Sequence, residues 1–534
     1  MSRAPHFDGY VRGALVLFAL SFSVILLTFR DYGVTWDESF HDHYGEGVLA
    51  YFRSGFSDRE SFLYIDLPYY GAAFDLLCAL AKRVSPLGLY ETRHLLNALV
   101  GLVGVVGCWK LARQLGGTRT ALLAALLLLL TPPWWGHAFN NPKDIPFAAG
   151  YAWSVYYLLR VAAELPRAPI GLFVKLGLAI GMTLASRVGG LMLIGYAAVL
   201  LAWSVLAGGR GADGASRWSR ARHSALGLLV TLAMAWPVML LFWPWAQARP
   251  FQAPFEAARM MARFGWRGTV LFAGEYIHST RLPRSYIPHW MLVTLPEIVL
   301  FGLGLGLALA AWRVARGGID VRSAAFRRLA VVVLAAVFPI AYIVVGRPTV
   351  YDGMRHVLFV VPLLAALAAR SLERAHELAG GSHPRLARAG AGLAGLYLVY
   401  ILSVMVRLHP YQSVYFNRLV GGLAGAYGRY ETDYWGNSYK EAVELLSRRL
   451  ELESASPPRY TVFVCANPPT ATYFFPPYLE RTRVEEEADF LIGTTRWNCH
   501  KTVEGEVLGV VERMGTPLNF VVDRRHLKAH ARRP

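Results

Sequence analysis

Residues 11–44 read VRGALVLFALSFSVILLTFRDYGVTWDESFHDHY. The apolar run from Val11 to Thr28 stops at Arg30-Asp31, and the chain turns to Trp36-Asp37-Glu38 and a polar stretch rich in histidine and acid. About 18 apolar residues nearly cross the roughly 30 Å hydrocarbon layer of a membrane as a helix. No small-residue cleavage site follows, so the run reads as an uncleaved first helix with its N-terminus inside. Its exit sets two adjacent carboxylates at the outer water boundary.

Working outward, comparable runs occur near Leu95–Leu111, Ala121–Trp134, Ile145–Leu159, Gly171–Leu184, Gly190–Leu206, Ala225–Trp243, Met291–Trp312, Leu329–Val345, His356–Ala369 and Ala389–Val406. With the first they predict about eleven transmembrane helices. The 534 residues are 55% hydrophobic and 17% charged, which excludes a soluble or disordered chain. Most of the basic excess, +18 in all, sits in short loops such as Lys110/Arg113/Arg119 and Arg313/Arg316/Arg322, following the positive-inside rule. That distribution excludes nucleic acid as a partner. Tyr69–Ala81 carries Asp75 and is short, so it reads as an amphipathic helix lying at the interface. One loop on the outer side, Gln247–His289, is itself basic and breaks the charge rule.

After Val406 the composition turns to strands and turns. Ser438-x-x-Glu441 reads as a capping box, and Thr461–Cys465, Asp489–Ile492, Val507–Val511 and Asn519–Val522 read as strands. The expected fold is an α-helical polytopic membrane protein, residues 1–407, with a small extracytoplasmic α/β domain, residues 408–534. Cys465 and Cys499 both fall in that tail, and the sequence leaves open whether they are bridged.

Candidate chemistry gathers at outer helix ends. Asp37 and Glu38, near both an apolar boundary and water, suit a general base; interfacial anchoring by Trp36 and N-capping by Asp37 are the structural alternatives. Asp144, in Asn140-Asn141-Pro142-Lys143-Asp144-Ile145-Pro146, is either an N-cap or a second acid of the same site. Lys143, Arg187, Arg281, Arg347 and Arg355 could hold a phosphate, where each alone would be a snorkelling anchor. Trp36, Glu431, Asp433 and Trp435 could contact a sugar or acceptor; the alternative for the last three is a wedge docking the tail. His41-x-His43 points its imidazoles to different faces of a helix, so no metal or other cofactor is expected; a divalent ion lacks a ligand cluster.

These motifs, taken in order, resemble the GT-C membrane glycosyltransferases, specifically the bacterial glycosyltransferase family 39 and protein-mannosyltransferase-like group. The resemblance rests on Trp36-Asp37-Glu38, Asn141-Pro142-Lys143-Asp144-Ile145-Pro146-Phe147, Tyr351-Asp352-Gly353-Met354-Arg355-His356, and the segment from Tyr415 to Gly436. It implies a hexosyltransferase that moves a sugar, with inversion, from a polyprenyl-phosphate donor to a glycan, lipid or protein acceptor. It further implies that the site faces outward from a bacterial inner membrane, with Asp37 as the base. The chain departs from the group in having Asp66-Leu67-Pro68-Tyr69-Tyr70-Gly71 where a Lys-Pro-Pro or His-Pro-Pro segment is expected, and in lacking β-trefoil repeats. A transporter or flippase of a lipid-linked glycan would also need cations near a phosphate, but it should place polar groups near the bilayer midplane. A non-catalytic scaffold is the third reading.

Overall fold

A computed structural model describes residues 8–206, 216–318, 320–499, 501 and 504–527. Arg3 and Arg210, which the charge rule would assign to the inner side, lie outside them. Helix α1, Gly9–Thr28, opens with the Asp8 carboxylate accepting from the Tyr10 N–H. It presents Leu15, Val16, Leu20 and Leu27 outward, as a lipid-facing helix does. Among the described residues, eight helices are long and apolar enough to cross a membrane, and the chain is an integral membrane protein.

The expected eleven is not reached by that measure, for reasons visible in the sequence. The spans expected at Leu95–Leu111 and Ala121–Trp134 fall in one element, α4, Leu89–Leu129, which breaks at Gly117 with a φ of 85°. Its arms fold against each other, bringing Cys108 Sγ to 3.9 Å from the Ala124 carbonyl. Only glycine takes that backbone conformation without strain. The second arm ends before Pro132-Pro133, which open the short helix α5, Pro132–Asn140. Helix α6, Asp144–Glu164, is diluted by Tyr151, Trp153, Ser154, Tyr156 and Tyr157, and helix α7, Ile170–Leu184, is short. The most enclosed of the eight, Arg355–Ser382, packs against α4 at the centre of the bundle.

Two further helices lie between α1 and α4. Helix α2 spans Glu38–Arg53 and helix α3 spans Ala73–Ala81. The latter was expected as an interfacial helix with Asp75 on its polar face. Asp75 is instead buried, paired with His41 at 2.8 Å and Arg93 at 2.8 Å.

Beyond Leu408 a five-stranded sheet forms with the order β4-β3-β5-β7-β6. Its strands are β3 Tyr460–Val464, β4 Leu479–Thr482, β5 Phe490–Thr494, β6 Glu506–Arg513 and β7 Thr516–Asp523; β3 runs parallel to β4 and β5, and β7 antiparallel to β5 and β6. The four expected strands are present. Strand β4, with Glu480 and Arg481 at its centre, gave no hydrophobic signal, nor did the hairpin β1 Thr269–Phe272 and β2 Glu275–His278 in the basic loop. The helix Tyr439–Glu453 lies on the sheet. It lacks the expected capping box: Asp433 accepts from the Asn437 and Ser438 N–H groups, while Glu441 pairs with Arg513 at 2.7 Å.

The tail is tied to the loop after α1. Trp36 N–H donates to the Trp435 carbonyl at 3.2 Å, and Asn467 Nδ2 donates to the Trp36 carbonyl at 3.2 Å. Cys465, just after β3, is bridged to Cys499, closing a loop with a sequence separation of 34. Restricting such a loop in the unfolded chain is worth about 4 kcal/mol in the chain-entropy model. The C465S/C499S double variant is therefore expected to melt at a lower temperature in detergent, and reductant should lower the wild-type transition while leaving the variant's unchanged.

Candidate active site

The segment after α1 separates its two adjacent acids. Consecutive residues at a helix start point about 100° apart, so one faces the protein and the other the opening. Glu38 is buried, accepting from the Thr35 N–H at 2.8 Å and the Thr35 hydroxyl at 3.0 Å, and pairing with His94 at 3.0 Å. It lines neither cavity of the site and serves to hold the turn. Asp37 faces a cavity and meets Lys143 Nζ at 2.5 Å and Arg355 at 3.8 Å. Burial by itself would raise its proton affinity; the charges of Lys143 and Arg355 outweigh this and hold the carboxyl well below the usual carboxylate range.

Asp144 opens α6. Its carboxylate accepts from Asn141 Nδ2 at 2.9 Å, its own N–H donates to Asn141 Oδ1 at 3.0 Å, and it pairs with Arg187. Arg355 reaches it at 3.7 Å and also meets Asp352 at 3.5 Å. Asp352 in turn pairs with Arg496 from the tail at 2.9 Å. In this group four cations face three carboxylates, leaving one positive charge for an anion to match.

Two cavities meet at this cluster. The larger, about 420 Å³, is walled by apolar side chains such as Phe147, Met192, Phe338 and Phe359 and ends at Lys143, Arg187 and Arg355. The smaller, about 290 Å³, is lined by Trp36, Asp37, Asp352, Trp435, Arg496 and Trp497. Tyr70, Lys143, Phe264, Tyr351 and Arg355 belong to both. The smaller cavity is rich in rings: Trp266 stacks on Tyr351 with centroids 4.4 Å apart, Arg355 lies 5.6 Å over Trp435, and Arg496 lies 5.3 Å over Trp36. Flat aromatic faces beside charged groups suit a carbohydrate.

Of the candidate phosphate contacts, Lys143, Arg187 and Arg355 therefore converge. Arg281 and Arg347 do not: each is exposed and lines neither cavity, Arg281 ending the turn after β2 and Arg347 capping the helix Ala324–Gly346. Of the Glu431, Asp433 and Trp435 trio only Trp435 faces the smaller cavity. Asp433 caps the tail helix, and Glu431 accepts from the Leu271 N–H at 3.2 Å, fastening the β1–β2 hairpin. Asp352, Tyr351 and Arg496 were not singled out. The first two stood in a motif already quoted for Arg355, whereas Arg496 carries no local signal, its partner lying far away in sequence. Among the described residues no three of His, Cys, Asp and Glu converge as a metal site.

Residues 91–243 match the model of the family described as dolichyl-phosphate-mannose-protein mannosyltransferase. The structure superposes on ArnT from Cupriavidus metallidurans in the apo state with a TM-score of 0.50 and 16% identity, covering 97% of this chain and 99% of that one. The same protein bound to undecaprenyl phosphate gives a TM-score of 0.50 and 16% identity over 96% and 98%. The apo oligosaccharyltransferase of Archaeoglobus fulgidus gives a TM-score of 0.46 and 15% identity over 86% and 62%. No curated protein sequence matches the chain. The GT-C and protein-mannosyltransferase-like resemblance thus holds in sequence over residues 91–243 and in fold over nearly the whole chain.

Glu431 supplies a test of the tail's electrostatics. Burial, opposed by Arg496 and the Leu271 N–H, pushes its carboxyl up to about 7 from 4.5. Because the native pKa is the higher one, native Glu431 binds its proton more tightly than the unfolded chain does. Its contribution is fully present below pH 4.5 and is lost as the pH rises through 7, amounting to about 3 kcal/mol. E431Q, which keeps an acceptor for Leu271, is expected to be more stable than wild type at pH 8 and no more stable at pH 4, as read from thermal melts.

Proposed function

We propose that the chain is an inverting glycosyltransferase that moves a sugar from a polyprenyl-phosphate donor to an acceptor hydroxyl on the extracytoplasmic face of a bacterial inner membrane. The observation that carries this reading is the junction of an apolar and an aromatic, polar cavity at Lys143 and Arg355, beside Asp37. The apolar cavity suits the isoprenoid chain, the cations its phosphate, and the aromatic cavity the sugar and acceptor. The undecaprenyl phosphate bound by the similarly folded ArnT supports the choice of donor.

In this reading the acceptor oxygen attacks the sugar's anomeric carbon, the bond to the phosphate oxygen breaks, and Asp37 takes the acceptor's proton. Phosphate and Asp37 compete for Lys143 and Arg355. Donor arrival draws those cations toward the phosphate, so the carboxylate regains proton affinity when the substrate is present. A base on the polar side and a leaving phosphate on the apolar side favour a single displacement, hence inversion. Residues 1–407 would form the transmembrane catalytic part, and residues 408–534 an extracytoplasmic domain closing the cavity with Trp435, Arg496 and Trp497. The outward orientation is supported by Lys110, Arg113 and Arg119 around the Gly117 turn, at the far end of α4 from its Leu89 terminus.

Wild-type protein in liposomes is expected to release polyprenyl phosphate from a labelled undecaprenyl-phosphate hexose only when an acceptor extract is added. D37N should lower this release by about 10²- to 10⁴-fold while still binding undecaprenyl phosphate. R355M should weaken that binding. Unchanged release by D37N would remove Asp37 from the role of base.

A further inference from the structure

A base held by two cations needs somewhere to pass its proton, and the cavity wall holds a second group built for that exchange. His41 lies one turn after Asp37 in α2, its N–H donating to the Asp37 carbonyl at 3.0 Å, and it lines the same small cavity. Its side chain is 97% buried. Nδ1 is 2.8 Å from the Asp75 carboxylate, whose other oxygen accepts from Arg93 at 2.8 Å. A carboxylate so paired is an acceptor only, so Nδ1 carries the hydrogen, and in the neutral imidazole Nε2 is the acceptor. That Nε2 is buried without a hydrogen-bond partner, whereas Asp37 Oδ2 is held by Lys143 Nζ.

The backbone is shaped to build this pair. Gly45, one turn after His41 on the same face of α2, stands where a Cβ would come within 2.6 Å of the Asp75 carbonyl oxygen. Its missing side chain lets α3 approach closely enough for Asp75 to reach the imidazole. Neither the Glu38 nor the His94 side chain joins the arrangement, since they pair with each other.

We propose that the Asp75–His41 pair is the proton relay of the transfer reaction: the proton that Asp37 takes from the acceptor hydroxyl passes to His41 Nε2, which regenerates the Asp37 carboxylate. Through this step the acceptor O–H bond breaks, the new glycosidic bond forms, and the phosphate leaves with the electrons of the broken bond. The proton rests on an imidazolium faced by Asp75, and water collects it before the next cycle. His41 acts through Asp37 and is a positioning and relay residue. Asp75 selects its tautomer, and Arg93 keeps Asp75 ionised. The inference rests on the transferase reading above.

The test uses the full-length protein in liposomes, an acceptor extract, and the labelled donor that wild type consumes from a panel of undecaprenyl-phosphate hexoses. H41Q and D75N are both expected to lower kcat by about 10- to 100-fold. The donor KM and the Kd for undecaprenyl phosphate should stay at wild-type values. D75N preserves the volume and a partner for Nδ1 but lets the imidazole ring adopt the wrong tautomer. H41A should regain activity when imidazole is added, an effect that a purely structural role would not give. Wild-type kcat in either H41Q or D75N, with D37N inactive, overturns the relay and leaves the transferase reading standing. Failure of imidazole to raise the H41A rate also overturns it. If wild type consumes no donor of the panel, the transferase reading itself falls, and the relay falls with it.

Discussion

Arg355 is the charge around which the candidate site is organised. It is almost fully buried, and it stands within 3.8 Å of Asp37, 3.7 Å of Asp144 and 3.5 Å of Asp352. An ion taken out of water costs several kcal/mol unless its environment replaces the lost solvation, and removing one partner of a buried pair typically costs about 3–5 kcal/mol. Three separate segments must therefore converge: the loop after α1, the start of α6, and the approach to the central helix. Their convergence sets the junction between the two cavities.

The same requirement explains why the tail is part of the site. Asp352 faces both Arg355 and Arg496, and Arg496 comes from the segment held by the Cys465–Cys499 bridge. Arg496 also donates to the Tyr434 carbonyl at 2.9 Å and lies over Trp36 and Trp497. Cation, acid and rings thus connect the sheet, the loop after α1 and the central helix in one continuous wall. The basic loop Gln247–His289, which breaks the expected charge rule, has a matching place. Its β1–β2 hairpin is fastened to Glu431, and Phe264 and Trp266 from the same loop line the cavity.

A second ion network lies behind the first. Asp75, His41 and Arg93 form a buried chain, and Asp42, Glu46, Lys82 and Arg83 continue it toward the surface. Helix α3 is too short to cross a membrane, and its one acid would be costly in lipid. Burial against α2 and α4 supplies that acid with two partners, which is why the acid of a segment that reads as interfacial is enclosed behind the site.

The membrane character, the acid after α1, the Lys143-Asp144 turn and the strands β3, β5, β6 and β7 were legible in the sequence, because each depends on local physics: apolar length, charge at a helix exit, or alternation of side chains. The Gly117 turn and the Pro132 break were readable only as the edges of apolar runs, so two expected spans proved to be arms of one bent element. Which of two neighbouring acids faces the cavity was decided by tertiary structure: Glu38 is satisfied by Thr35 and His94, while Asp37 is left to Lys143 and Arg355. The same holds for Asp352 with Arg496 and for His41 with Asp75, because charge pairing in a low-dielectric interior joins residues that no spacing in the chain connects.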